Sequence, residues 1–418
     1  MLSRTKERPR GVKMLTRSFI ADSLYHPSYG YFSRAVNIFS PKTPYVFSTF
    51  PGAEDFLIEW TKNFNEAKEA AGKQDLRYGT QVWHTPTELF RPYYGEAFAR
   101  YIVAHHDPVE RLNIYEMGAG NGTLMDNILS YLKLHHLDLY RRTTYNIIEI
   151  TGQLAEKQKK VLAKHPNRIK ISNKSIFDWN TPVNEPCFFI AAEVFDNFPH
   201  DVLRYDNITD TPYQGYVMVD GDGDFHEFFS PDLDPLAKKF LEYRSKDLTL
   251  VSNAGRTHPL NQPRWWRRTK SLMPVLGKPL SDPEYIPTKY VEFLHILQKY
   301  FPNHKLIATD FHSLKDTIPG YNAPVTQTLM DGKMIPVSTY MTHQGFFDIM
   351  FPTDFRLAAH LYKQVTGKNA ETKSHREFLE PYTSLQDTEV RSGENPMLDF
   401  YQNASFLISN SPGSARLS

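Results

Sequence analysis

The chain has 418 residues, of which 40% are hydrophobic, 14% aromatic and 23% charged; this suits one large α/β domain or two domains and excludes a disordered chain or a small stapled scaffold. Lysine and arginine (48) balance aspartate and glutamate (47), so the net charge of +1 exerts no overall pull on nucleic acid or anionic membrane. Cys187 is the sole cysteine, which rules out an intrachain disulfide or a cysteine cage for a metal, and no apolar run approaches the roughly 20 residues of a membrane span.

The first 110 residues read as helical and irregular. The basic start, MLSRTKERPRGVK, fits either the tail of a mitochondrial presequence or an ordinary basic tail. SFIADSLYHP repeats apolar residues at helical spacing up to Pro27, EDFLIEWTKNFNEAKEAAGK reads as an amphipathic helix ending near Gly72, and a further helix is expected across ELFRPYYGEAFARYIVAHH. From residue 111 short β-branched or aromatic runs alternate with helical segments, the pattern of parallel βαβ units. RLNIYEM, TTYNIIEI, RIKISN and CFFIAAEVF are the strands, with TLMDNILSYLKLHH and GQLAEKQKKVLAKH as helices among them. The fold class expected is therefore an open α/β sheet. VLRYDN and QGYVMVDGDGDFHEFF then look antiparallel, with a turn at Asp220–Gly223, before LDPLAKKFLEYRSK returns to helix.

Residues 251–288, rich in proline and basic side chains, read as an insertion loop. Within it Arg264, Arg267, Arg268 and Lys270 surround Trp265 and Trp266, a mixture able to stack on bases or hold the phosphates of RNA. The preferred expectation is that the tryptophans dock on the body of the protein and that no RNA is bound. A helix (KYVEFLHILQKYF), a strand (KLIATDF), an irregular stretch to about residue 342 and a helix near DFRLAAHLYKQVTG follow. The expected organisation is a helical N-terminal region at 1–110, an α/β domain at 111–365 with its insertion, and a polar C-terminal extension at 366–418.

The chemistry is expected where RLNIYEM runs into Gly118-Ala119-Gly120-Asn121-Gly122 and then a helix. Glycines there allow positive φ and let a ligand rest against the loop and the helix N-terminus. A dinucleotide asks for G-x-G-x-x-G to seat its pyrophosphate; here the third glycine comes one residue early, after Glu116, which favours S-adenosylmethionine. Glu149, at the end of the next strand, is placed to accept from a ribose, and Asp178, after the third, either approaches an adenine or caps the segment that follows. Glu193 and Asp196 follow the fourth strand, at the sheet edge that faces the ligand crevice in open α/β folds. The G-x-S-x-G elbow and the Walker loop are absent, the histidine pairs lack metal-ligand spacing, and no metal is expected.

Several segments resemble the MidA-like S-adenosylmethionine-dependent methyltransferases, a family that includes a mitochondrial arginine methyltransferase acting in respiratory complex I assembly. FIADSLYHPSYGYFS is similar to its "ALYHPxxGYY", YEMGAGNGTLMDNIL to "ELGPGRGTLMxDIL", and IIEITGQLAEKQ to "VEISPxLRxxQ". AAEVFDNFPHDVL resembles "ANEFFDALPVxxF" and GFFDIMFPTDF resembles "GxxDITAHVDF", the ordered set spanning roughly residues 16–365. The resemblance implies a Rossmann-like class I methyltransferase sheet, a protein substrate or assembly partner, a mitochondrial location, and cofactor contacts at Glu116, Gly118, Gly120, Gly122 and Glu149. It also implies a substrate-side role for Glu193, Asp196 and Asp348, and for Glu88 in HTPTEL, which matches "TSPEIS" with one extra residue. The sequence departs from the pattern at Ala119, Asn121, Ala192, Asp310-Phe311-His312 and Pro352. Two readings follow: an active protein methyltransferase, most simply directed at arginine, or a divergent non-catalytic assembly factor that binds a protein or RNA partner.

Overall fold

The computed structural model describes residues 7–34, 36–72, 81–252, 254, 258–271, 279–315, 317, 322–330 and 333–409. Its centre is a seven-stranded sheet built from β1 (Leu112–Met117), β2 (Thr143–Ile148), β3 (Ile169–Ser172), β4 (Cys187–Ala192), β5 (His304–Phe311), β6 (Ala370–Ser374) and β7 (Ala404–Ser409). The order across the sheet is β6-β7-β5-β4-β1-β2-β3. The strands from β5 to β3 run parallel, while β7 is antiparallel to both its neighbours. β4 reads CFFIAA and is buried along almost its whole length, as a strand covered on both faces must be.

One face of the sheet packs on the helices Tyr93–His105 and Thr123–His135 through Phe98, Ile102, Leu124 and Ile128, all essentially inaccessible. The other face packs on Pro235–Ser245, Thr288–Tyr300 and Phe355–Thr366 through Phe240, Phe293, Leu297 and Leu361. Asp234 starts the first of these by accepting from the Ala237 N–H, and Asp354 starts the last by accepting from Leu357.

The predicted hairpin forms: Phe225–Ser230 pairs antiparallel with Pro212–Val219, and Asp220 Oδ1 accepts from the N–H groups of Asp222, Gly223 and Asp224. This hairpin belongs to a second sheet with Val12–Leu15, Asp201–Tyr205 and Glu284–Ile286. The helix Thr16–Tyr25 follows directly from its edge strand, which brings the N-terminal motif beside the C-terminal ends of β4 and β5.

Four expectations need correction. The helix expected across ELFRPYYGEAFARYIVAHH is two helices, Pro86–Leu89 and Tyr93–His105, because Pro92 has no N–H to continue the ladder. The tail expected to be a polar extension at 366–418 carries β6 and β7; every residue of β7 is buried, but ASFLIS is an isolated run between polar flanks with no helical pattern after it in the sequence. The irregular stretch before residue 342 holds the strands Val325–Met330 and Lys333–Val337, which form a small sheet with Asp348–Met350. The expected insertion loop contains the helix Arg264–Ser271, and its tryptophans do not dock: Trp265 is 68% and Trp266 47% exposed, their rings edge to face. Arg264 and Arg267 both pair with Asp210 at 2.6 Å, which commits two cations of the supposed RNA patch to an internal carboxylate.

Candidate active site

β1 ends in a loop whose three glycines all lie in the left-handed region, at φ +74° (Gly118), +53° (Gly120) and +83° (Gly122). A Cβ on Gly118 would sit 2.6 Å from Val194 Cγ1, so the close approach of this loop to the segment after β4 depends on glycine. On Gly120 it would meet Ile38 Cδ1 at 3.0 Å, which sets the cost of substitution there in strain and in contact with Ile38. Gly122 is the N-cap of Thr123–His135 and gives no side-chain cap, so the first N–H groups of a 13-residue helix face the loop region without a side-chain acceptor from that position.

The three expected cofactor carboxylates are placed differently. Glu116 lies in the core side of β1 and accepts from the Tyr145 hydroxyl at 2.8 Å; burial pushes its carboxyl up to about 7. Glu149, at the end of β2, accepts at Oε1 from the Thr151 N–H (2.9 Å) and hydroxyl (3.0 Å), and at Oε2 from Gln158 Nε2 (2.9 Å). Gln158 Nε2 also donates to the Gly120 carbonyl at 2.9 Å, so one amide ties the glycine loop to the end of β2. Asp178 is exposed in the turn Ile176–Asp178 beyond β3, apart from this network.

Glu88, for which the resemblance implies a substrate-side role, is hydrogen-bonded to the glycine loop and the helix that follows it. Its Oε1 accepts from Asn121 Nδ2 at 2.8 Å and from the Thr123 hydroxyl at 2.7 Å. The residue is 2% exposed, and its Oε2 is buried without a partner among the described residues.

The second group of carboxylates lies where β4 and β5 end. Glu193 is half-buried and holds φ +54°, a left-handed conformation that costs a non-glycine residue of order 1 kcal/mol; its N–H is tied to the Thr309 carbonyl at 2.8 Å. Asp310 sets the loop that follows: its Oδ2 accepts from the N–H groups of Val194 (3.1 Å), Phe195 (2.7 Å) and Asp196 (3.2 Å). Sequence reasoning noticed Asp310 only as a departure from a family motif; its place at the C-terminal end of a parallel strand was the available signal. Burial pushes its carboxyl up to about 6 even with these donors.

Asp196 and Asp348 complete the group. Asp348 is 0% exposed; Asn197 Nδ2 donates to its Oδ1 at 3.0 Å, while Oδ2 is buried without a partner among the described residues. Asp196 Oδ1 is likewise buried and unpartnered among the described residues, and Arg204, the nearest arginine or lysine in sequence, turns to Glu227 and the ring of Phe229. Burial pushes the Asp348 carboxyl up to about 7 and that of Asp196 well above its ordinary range, the latter reinforced by Asp310, Asp348 and Glu193. Tyr25 donates to the Asn197 carbonyl at 2.9 Å, which closes the N-terminal helix over this group. In the same motif a Cβ on Gly30 would lie 2.4 Å from the His26 nitrogen, so the HPSYGY turn requires glycine for space.

A sheet of this order, with its antiparallel seventh strand between the fifth and sixth and a glycine loop after the first, defines a class I methyltransferase-type α/β fold. The chain belongs to the family described as "Putative S-adenosyl-L-methionine-dependent methyltransferase", whose model matches residues 95–373. It is 24% identical over 96% of its length, and 88% of the relative's, to the protein arginine methyltransferase NDUFAF7 homolog, mitochondrial, of Schizosaccharomyces pombe. A crystal structure from Burkholderia thailandensis bound to S-adenosyl-homocysteine superposes with a TM-score of 0.59 at 14% identity, covering 96% of this chain and 88% of that one. A native crystal structure from the same organism gives 0.56 at 13% identity with the same coverage. Among the described residues no helix is long and apolar enough to cross a membrane.

Proposed function

We propose that the chain transfers a methyl group from S-adenosylmethionine to an arginine of a protein, in mitochondria, in connection with assembly of a mitochondrial complex. The observation that carries the acceptor is the pair of buried, unpartnered carboxylate oxygens on Asp196 and Asp348 beside Glu193. Buried carboxylates without partners are costly, and a guanidinium offers the planar array of N–H donors that offsets this cost. The name of the Schizosaccharomyces pombe relative, a mitochondrial protein arginine methyltransferase, supports both arginine and the mitochondrion.

The residues of the glycine loop fit the cofactor: three left-handed glycines, an uncapped helix N-terminus and an orphaned Glu88 oxygen stand together. Gly118–Gly122 and Glu149 would hold it, while Glu116 accepts from the Tyr145 hydroxyl in the core beneath the loop. When bound, S-adenosylmethionine supplies an electrophilic methyl group on a sulfonium. The protein's part lies on the acceptor. A guanidinium is a poor nucleophile because its lone pairs are delocalised and its pKa exceeds 12. Glu193, Asp196 and Asp348 accept its N–H groups, fix two nitrogens and turn the third toward the glycine loop, so that orientation supplies much of the rate. A carboxylate there also takes the proton that the methylated nitrogen sheds. Incubating the purified chain with radiolabelled S-adenosylmethionine and a mitochondrial extract should yield methylarginine on acid hydrolysis; label confined to other residues, or none, contradicts the assignment.

A further inference from the structure

We infer that Glu88 binds the α-ammonium of the cofactor's methionine end, and is a cofactor residue rather than a substrate residue. The inference rests on the cofactor reading above and deepens it. Pro86–Leu89 is a single helical turn, and Thr85 fixes it by accepting from the Glu88 N–H, so the Glu88 side chain leaves a braced backbone. Asn121 and Thr123 then lock Oε1, one donor from the glycine loop and one from the first residue of the following helix. With Oε1 held twice, the direction of Oε2 is set as well, and that oxygen is buried and bare among the described residues.

The neighbouring carboxylates have other duties. Glu116 is engaged by Tyr145, and Glu149 receives donors from Thr151 and Gln158 on both its oxygens. An amino-acid moiety carries two opposite charges on one carbon. Its carboxylate suits the uncapped N–H groups at Thr123, where the helix dipole favours an anion, and its ammonium then needs an anion beside that terminus. Glu88 Oε2 is the orphaned carboxylate oxygen in this place. The guanidinium site has its own unpartnered oxygens at the ends of β4 and β5 and does not call on Glu88.

The test is calorimetric and needs no turnover. S-adenosylhomocysteine and its des-amino analogue, which keeps the carboxylate and lacks the ammonium, are titrated into the full chain, into Glu88→Gln and into Asn121→Ala. Glu88→Gln preserves shape and still accepts from Asn121 and Thr123, so it should weaken S-adenosylhomocysteine about tenfold to a hundredfold, the scale of a hydrogen bond to a charged group, and leave the analogue within about twofold. Asn121→Ala disturbs the brace and should weaken both ligands alike. Equal losses for both ligands in Glu88→Gln would make Glu88 a brace only, and unchanged affinity for S-adenosylhomocysteine would also overturn the inference while leaving the cofactor reading intact. If the unaltered chain binds neither ligand, both fall together.

Discussion

On the glycine-loop side, Glu149 accepts three donors and Glu116 accepts the Tyr145 hydroxyl; at the ends of β4 and β5, Asp310 likewise accepts three consecutive backbone N–H groups. At the ends of β4 and β5, Asp196 and Asp348 are buried just as deeply, and each leaves one oxygen bare. The first set of contacts ties loops to strands and maintains the frame. The second maintains an unmet demand for N–H donors, which a protein of marginal stability keeps only where something else meets it. Glu88 belongs to the framed side by its contacts, yet shares the demand through one oxygen, the one proposed above to take the cofactor's ammonium.

The largest break in this contrast should come from Asp348→Asn. The amide keeps the shape and one acceptor but loses the charge, so methyl transfer is expected to fall at least about a hundredfold, the scale for losing a charge-assisted contact made in the transition state. Stability should move the other way. Folded-state pKa values near 7 for Asp348 and Glu116, and near 6 for Asp310, lie above their unfolded values. Such groups contribute stability that is full below about pH 4 and is lost as pH rises through 6 to 7. Asp348→Asn removes its share of that slope, so its thermal midpoint relative to the unaltered chain should be higher at pH 8 than at pH 5. A midpoint that drops equally at both values would place Asp348 in the frame. By the same linkage, affinity for a guanidinium substrate should rise between pH 6 and 8, since the cation binds the ionised carboxylates.

Gly120→Val attacks the framed side. A β-branched residue at φ +53° is strained, and its Cβ presses on Ile38. Calorimetry should show S-adenosylhomocysteine binding lost in a chain that still unfolds cooperatively; retained affinity would remove the loop from the cofactor site. The smallest effect is expected at the exposed tryptophans. Changing Arg264, Arg267 and Arg268 together should leave no RNA affinity to lose, since two of the three already serve Asp210, and a salt-sensitive RNA complex of the unaltered chain would overturn that expectation.

The frame was legible in the sequence because apolar strand-sized runs alternate with helical segments in a regular βα order. RLNIYEM, the glycine loop and CFFIAA lie where the pattern put them. β7 was not, because ASFLIS stands alone between polar flanks with no helical pattern after it to complete a βα unit, and β6, on the sheet edge, reads AETKS. In the site, Glu149 and Glu193 stand at the strand ends where the pattern put them, whereas the contacts of Glu88 with Asn121 and Thr123 left no mark in the sequence. No spacing rule says that Pro86–Leu89 folds against Asn121 and Thr123. The exposed Trp265 and Trp266 reverse the general rule that large aromatics dock, and nothing in their local pattern distinguishes the two cases.

The division between the two sides is tested most directly on Glu193→Gln, by measuring methyl transfer and S-adenosylhomocysteine affinity on the same preparation. Glutamine nearly preserves shape at the left-handed position after β4 and removes the carboxyl proposed to face the acceptor. Methyl transfer should be abolished while cofactor affinity stays within about twofold, since the interaction lost belongs to the acceptor alone. Loss of the cofactor, or full activity in the variant, would contradict the account.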